Sequence, residues 1–371
     1  MIASKILNFI KENPDNWEEL INGKDIATKH KGDLVCFKYN AITSDFSDPI
    51  VCESRGIIID VKNMKVVCWP FDKFFNVQEQ YAADIDWSSA RVLEKIDGSL
   101  IKLYYYNGEW IFATSSTCDA HDANLDKFGK TFYDIIKKAV NYNKIPFYSL
   151  DPDYTYMFEL VSPESQVVIN YKSTALYFLA CRNNTTGEEI ETSIGIMKPN
   201  SYPLNSLEGC MEAVEKLNMG SDVTNEGFVV VDKNYHRVKI KSMAYVSLHH
   251  IKNAGFTAKR MSELYAASID FDELVKEFPG YTREIRFYQW QIAEFEFNVE
   301  QMIDYARSLY EEYDHDRKAV ALAVKKSKYS YFGFKAIDNE LTAEEMISAL
   351  RPSQIEGYLK DYEYEEKVVV S

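Results

Sequence analysis

An α+β fold, with an antiparallel-sheet domain over residues 1–250 and an all-helical C-terminal domain over residues 251–371, is predicted by three observations. The chain has 371 residues, too many for one small domain and suited to two. From about residue 30 to 250, short β-type runs alternate with turn residues. Beyond residue 251, Gly and Pro thin out and apolar residues recur at helical spacing.

Each element has its own signal. Gly56-Ile57-Ile58-Ile59-Asp60, Leu100 to Tyr106 and Gly227-Phe228-Val229-Val230-Val231 read as strands. Asn107-Gly108, between two such runs, predicts a tight hairpin. Helical interruptions are expected near 125–142 and 207–218. In the C-terminal part, Ile285, Tyr288, Ile292, Phe295, Val299, Met302, Ala306 and Leu309 follow steps of three and four, one apolar stripe of a long helix in a bundle. The acidic stretch Tyr362-Glu363-Tyr364-Glu365-Glu366 is expected to fray.

Composition narrows the function classes. A net charge of −15 argues against a generic nucleic-acid coat, yet leaves room for an enzyme with a local basic groove and salt-sensitive binding. The aromatic fraction of 14%, mostly Tyr and Phe, suits strands and flat packing surfaces. Six cysteines are scattered without a Cys-x-x-Cys pair, which argues against a zinc knuckle. Met1-Ile2-Ala3-Ser4-Lys5 leads into an amphipathic run, not a secretory leader, and no apolar stretch approaches the ~20 residues of a membrane span. A cytoplasmic protein with free thiols is expected.

The chemistry centres on Lys95. Val92 to Lys95 reads as a strand, Asp97-Gly98-Ser99 as a sharp turn, and Leu100 onward as the next strand, so the lysine stands at a strand end beside a glycine. By itself this is an ordinary hairpin. Val238-Lys239-Ile240-Lys241 then puts two lysines on one strand face, where they repel unless an anion or carboxylate sits between them. Glu159 takes the face opposite Phe158 and Leu160, and Glu226 opens a strand before a glycine. Arg55 stands at another strand mouth, and Lys73 lies within Pro70-Phe71-Asp72-Lys73-Phe74-Phe75-Asn76.

The ordered set Ser54-Arg55-Gly56, Lys95-Ile96-Asp97-Gly98, Phe158-Glu159-Leu160, Glu226-Gly227-Phe228 and Lys239-Ile240-Lys241 resembles the motif series of covalent nucleotidyltransferases, the superfamily of ligases and mRNA capping enzymes. Asp72-Lys73-Phe74-Phe75-Asn76, Lys95 to Leu100, and Lys239 to Ser242 followed by Tyr245-Val246-Ser247-Leu248-His249 resemble more narrowly the RNA ligase 1 family of T-even-like phages. The match spans roughly residues 30 to 250. The resemblance implies an ATP-dependent RNA ligase in which Lys95 attacks the α-phosphorus of ATP and carries AMP. An amine attacks only when unprotonated, a state that Lys239, Lys241 and a bound magnesium ion would favour. It further implies that Lys239 and Lys241 meet the phosphates, that Arg55 and Lys73 hold the triphosphate or orient the leaving group, and that Tyr39 and Tyr245 line the nucleotide site. Glu159 would bind the ribose or a hydrated metal, Glu226 would face the metal, and Asp272 is a further metal candidate. Where the family has a lysine after the second hairpin strand, this chain has Ser116, so that contact does not carry over.

The implied substrates are single-stranded RNA ends, such as a nicked tRNA anticodon loop, in a phage-infected host cytoplasm. A monomer working downstream of a polynucleotide kinase/phosphatase is expected. Alternatives are a non-catalytic RNA-binding protein on a ligase scaffold, a DNA ligase or a GTP-using capping enzyme. The last two usually carry a β-barrel where this chain turns helical. Asp314-His315-Asp316 reads as a charged turn and His249-His250 as structural. Neither a GxGxxG nor a P-loop occurs.

Overall fold

The computed structural model describes residues 4–125, 129–217, 225–278, 281–339 and 341–360. The chain divides into two compact units, Met1–Leu217 with Thr224–Ser242, and Asn218–Val223 with Met243–Ser371. All fourteen described strands belong to the first. Strands β1 (Ile26–Lys31), β2 (Leu34–Tyr39), β3 (Arg55–Asp60) and β4 (Lys65–Cys68) form a four-stranded meander. The next four are β5 (Phe75–Asn76), β6 (Arg91–Glu94), β7 (Ser99–Tyr106) and β8 (Glu109–Thr114). Then come β9 (Tyr154–Val161), β10 (Ala175–Asn183), β11 (Glu189–Ile190), β12 (Ser201–Tyr202), β13 (Gly227–Val231) and β14 (Arg237–Lys241). They make two five-stranded sheets, ordered β11-β10-β9-β7-β8 and β12-β6-β13-β14-β5. Pairing is antiparallel apart from a short parallel match of β5 with β14, Phe75 to Val238 and Asn76 to Lys239.

Local chemistry explains the elements. Tyr106 pairs with Glu109 across the β7–β8 hairpin, leaving Asn107 and Gly108 as its loop. Both have positive φ, 51° and 90°, the backbone that matches strand twist and that Asn-Gly adopts readily. Side chains alternate between faces. On β2, Val35 and Phe37 pack against Ile6, Leu7 and Ile10 of the helix Lys5–Glu12, while Leu34 and Cys36 face Tyr104 and Ala113 of the second sheet. The other face of that sheet, with Ile101, Leu103, Phe158 and Leu160, is covered by Ile135 and Ile136 of the helix Phe132–Lys138. Burying each such side chain contributes about 1.5–3 kcal/mol. The helix expected near 125–142 is thus confined to seven residues, and 126–128 lie outside the described residues. The helix expected near 207–218 is Leu207–Leu217, packed on the third sheet through Cys210 and Val214.

Among the described residues the second unit is helical throughout. Its longest helix, Thr282–Glu312, buries the expected stripe except at Met302, which is half-buried while Ile303 is buried. A 3.6-residue period drifts against a fixed three-four repeat, so the core-facing position moves on by one residue. Asp314 and His315 take positive φ as a turn, and Asp316 caps the next helix by accepting from the Lys318 and Ala319 amides. His249 stacks on Tyr245, whereas the His250 side chain and the stretch Tyr362–Glu366 lie outside the described residues. All six cysteines are unpaired. No described helix is long and apolar enough to cross a membrane.

Candidate active site

The nucleophile candidate sits where β6 leaves its sheet. The Lys95 amide donates to the Gly227 carbonyl at 2.8 Å, so the lysine is fixed one residue past the strand end. Asp97, buried, accepts from the Val168 and Ile169 amides at 2.8 and 2.6 Å and anchors the turn. Two glycines let backbones close around the site. A Cβ on Gly98 would lie 2.4 Å from the Leu160 carbonyl oxygen, and one on Gly227, whose φ is +138°, would lie 2.1 Å from that of Ile240. Gly227→Ala is therefore expected to lower folding stability by about 2–4 kcal/mol, read as a reduced urea midpoint at unchanged m-value.

Glu226 organises the charges. It is 3% exposed. One carboxylate oxygen meets Lys95 Nζ at 2.6 Å and the other meets Lys241 Nζ at 2.7 Å. Burial by itself would raise this carboxyl, but the two lysines overcome it and hold it below the ordinary range. Of the two like-charged lysines on the β14 face, Glu226 neutralises Lys241 and leaves Lys239 without a carboxylate among the described ion pairs. Val238 and Ile240 fill the core behind them, as alternation predicts.

Arg55, Lys95, Glu159, Lys239 and Lys241 line one cavity of about 290 Å³, with Leu93, Leu100 and Val229 as apolar walls. Its composition, a cationic rim over an apolar slot, suits a nucleotide. The Arg55 guanidinium lies 4.9 Å from the centre of the Phe74 ring, and its Nη1 is buried without a hydrogen-bond partner. A buried guanidinium nitrogen left open is a ready seat for a phosphate oxygen. Burial first, then Arg55, Lys95, Lys73 and Lys241, pushes the Lys239 ammonium down to about 7. Glu159 is pushed up to about 7 by burial, with Lys95 opposing and Glu226 reinforcing the shift. The cations around Lys239 repel one another, and binding of an anion would relieve that repulsion.

A stability consequence follows. A lysine depressed from 10.5 to about 7 penalises folding fully below pH 7, and the penalty fades as pH rises towards 10.5. Lys239→Met is expected to melt several degrees higher than wild type at pH 6, with the gain disappearing near pH 10 in thermal scans.

The remaining candidates lie elsewhere. Lys73 stands 4.3 Å from the Phe46 ring centre, 4.9 Å from Phe75 and 5.3 Å from Tyr39, a cage beside an adjoining groove that also contains Phe71, Phe74 and Arg237. Burial, with Arg55 adding to it, lowers the Lys73 ammonium. Burial raises the Tyr39 hydroxyl, with Arg55 opposing, and its ring packs edge-on against Phe46. Tyr245 and Asp272 belong to the second unit. There Tyr245 is buried, and Asp272 is exposed and ion-paired with Arg286. Among the described residues no three His, Cys, Asp or Glu side chains are grouped to hold a metal ion.

Sequence reasoning passed over three groups. Arg237, bidentate to Glu189 at 2.7 and 2.8 Å, lines the same cavity. Lys38 is pushed down to about 8 by burial and by Arg55 and Lys102. Lys102 is buried completely. Only this last had a visible signal, a lysine between Ile101 and Leu103 on the apolar run.

Residues 53–245, more than half of the chain, match the family described as RNA ligase. An Autographa californica nuclear polyhedrosis virus protein, provisionally named bifunctional polynucleotide kinase/RNA ligase, is 32% identical over 283 residues, 70% of this chain and 39% of its own length. The chain therefore spans well under half of that relative. The RNA ligase of Rhodothermus phage RM378 is 26% identical over 321 residues, covering 68% of this chain and 72% of the phage protein. Among solved structures, an archaeal ATP-dependent RNA ligase aligns at a TM-score of 0.44 with 13% identity, over 76% of this chain and 77% of that one. On the family match, the chain belongs to the RNA ligase family.

Proposed function

We propose that the chain joins RNA 5′-phosphate and 3′-hydroxyl ends at the cost of ATP, through AMP carried on Lys95. The observation that carries this reading is the placement of Lys95 Nζ on Glu226, beside Lys241, at a cavity that Arg55 and Lys239 also line. The Lys95 amine attacks the α-phosphorus, a nitrogen–phosphorus bond forms, and pyrophosphate leaves. Lys239, Lys241 and Arg55 stabilise the charge that grows on the phosphate oxygens. Lys73, from the adjoining groove, would hold the outer phosphates. AMP then passes to the RNA 5′-phosphate, and a 3′-hydroxyl displaces it.

Magnesium would be held mostly by phosphate oxygens and water, with Glu159 and Glu226 as its protein carboxylates; this fits a site without a three-residue metal cluster. Bound there it supplies further positive charge to the triphosphate. Asp272 would have to release Arg286 to take part. Tyr39 and Tyr245 are the proposed aromatic contacts of the nucleotide. A nicked tRNA is the proposed natural substrate, with a kinase/phosphatase preparing its ends in the host cytoplasm and the ligase acting as a monomer. A DNA ligase or capping enzyme is disfavoured because every described element after Lys241 is a helix.

The test is incubation with labelled ATP or GTP, followed by circularisation of a 5′-phosphorylated single-stranded RNA. A covalent adduct with ATP and a closed circle are expected. Adduct formation with GTP and not ATP would make it a capping-type enzyme, and no adduct at all would leave an RNA-binding scaffold.

A further inference from the structure

We propose that Lys102 is a positioning residue for Arg55, acting through the carbonyl of Gly56; this rests on the ligase reading above. On β7 the side chains of Ile101 and Leu103 enter the core under the helix Phe132–Lys138, so Lys102 and Tyr104 face the opposite layer, against β2, β3 and β4. That layer is built of Leu34, Cys36, Ile58, Val67, Cys68 and Tyr104. Lys102 is 0% exposed within it, and no carboxylate is ion-paired with it among the described residues. Its Nζ donates to the Gly56 carbonyl oxygen and lies 3.9 Å from Cys36 Sγ. Burying an ammonium without a counter-ion is unfavourable, so the contact it makes has to compensate.

Gly56 explains what is held. The register between β2 and β3 runs Phe37 to Ile57 and then Lys38 to Arg55, skipping Gly56. Gly56 is therefore a bulge, with φ +95°, and its carbonyl has lost its place in the ladder. Lys102 satisfies that carbonyl. The glycine is also confined: a Cβ there would lie 2.5 Å from the Ser115 carbonyl oxygen and 3.1 Å from Lys102 Nζ. A bulge re-aims the neighbouring side chain, and the neighbour is Arg55, whose open Nη1 is buried at the nucleotide cavity. Lys102 thus locks the kink that turns Arg55 inward. Lys102 is not among the residues that line the cavity, and its ammonium reaches Gly56 and Cys36, so the route to phosphate binding runs through Arg55.

The test is a double-mutant cycle on Lys95 adenylylation by ATP. Lys102→Met is expected to raise the ATP concentration for half-maximal rate about tenfold, while the rate at saturating ATP changes less than about twofold. Lys102→Arg, which keeps a cationic donor, should recover most of the affinity. In an Arg55→Ala background, Lys102→Met should add no further loss, because the two act as one unit. Losses that multiply across the cycle would overturn the proposal and leave Lys102 a core residue. Should Lys102→Met be recovered only as aggregate, Lys102→Gln carries the same cycle; if both fail to fold while Arg55→Ala folds, the proposal is also overturned. Wild type that forms no adduct would instead refute the ligase reading itself.

Discussion

Lys95→Ala should form no AMP adduct by intact-mass measurement, a loss of at least about 1,000-fold, while its fold persists. Lys95→Arg should fail equally, since a guanidinium does not give up its proton and cannot attack phosphorus. The fold should tolerate the change because the Lys95 side chain is 19% exposed and Glu226 keeps Lys241 as its partner. A loss of about 1 kcal/mol or less, or a melting shift of about 2–4 °C, is expected by circular dichroism. The sharper readout uses RNA already carrying a 5′-adenylyl group. Joining such an RNA needs no amine nucleophile, so Lys95→Ala should still seal it, with ATP omitted. An alanine variant that still captures AMP would show that another side chain attacks.

Much of this site could be read from local pattern. Two-residue alternation put Glu159 opposite Phe158 and Leu160, and Lys239 with Lys241 opposite Val238 and Ile240, as found in the fold. The Asn107-Gly108 loop emerged with the backbone those residues favour. What escaped notice depends on pairing between distant strands. That Gly56 is bulged follows from how β2 meets β3, and that Lys102 lies beneath it follows from how two sheets stack. That Arg237 lines the cavity, held by Glu189 48 residues away, also follows only from how distant strands are placed. The parallel contact of β5 with β14 likewise joins segments more than 160 residues apart in the chain. Tyr245 and Asp272 were grouped with the nucleotide by resemblance, and the fold sets both in the helical unit.

Glu226→Gln tests the other half of the arrangement, how the amine is held before it reacts. The wild-type carboxylate spans Lys95 and Lys241, so a neutral amide leaves two ammonium groups facing each other without a counter-charge. Adenylylation in a single turnover should fall by about 100-fold or more, chiefly in the rate at saturating ATP, because the loss concerns where Nζ points. Breaking a buried pair from one side can destabilise by ~3–5 kcal/mol, but the lysine side chains are 19% and 27% exposed and water screens them, so about 1–2 kcal/mol is expected. The pH dependence separates this cause from mere loss of packing. Glu226 titrates below its ordinary 4.5 when folded, so its stabilisation is complete above that value and is lost as pH falls through the lower, folded one. The stability gap between wild type and Glu226→Gln should narrow as pH falls below the ordinary 4.5 of a glutamate. A gap that stayed open in acid would mean that Glu226 holds the strand by shape and not by charge, and Lys95 would then need another residue to aim it.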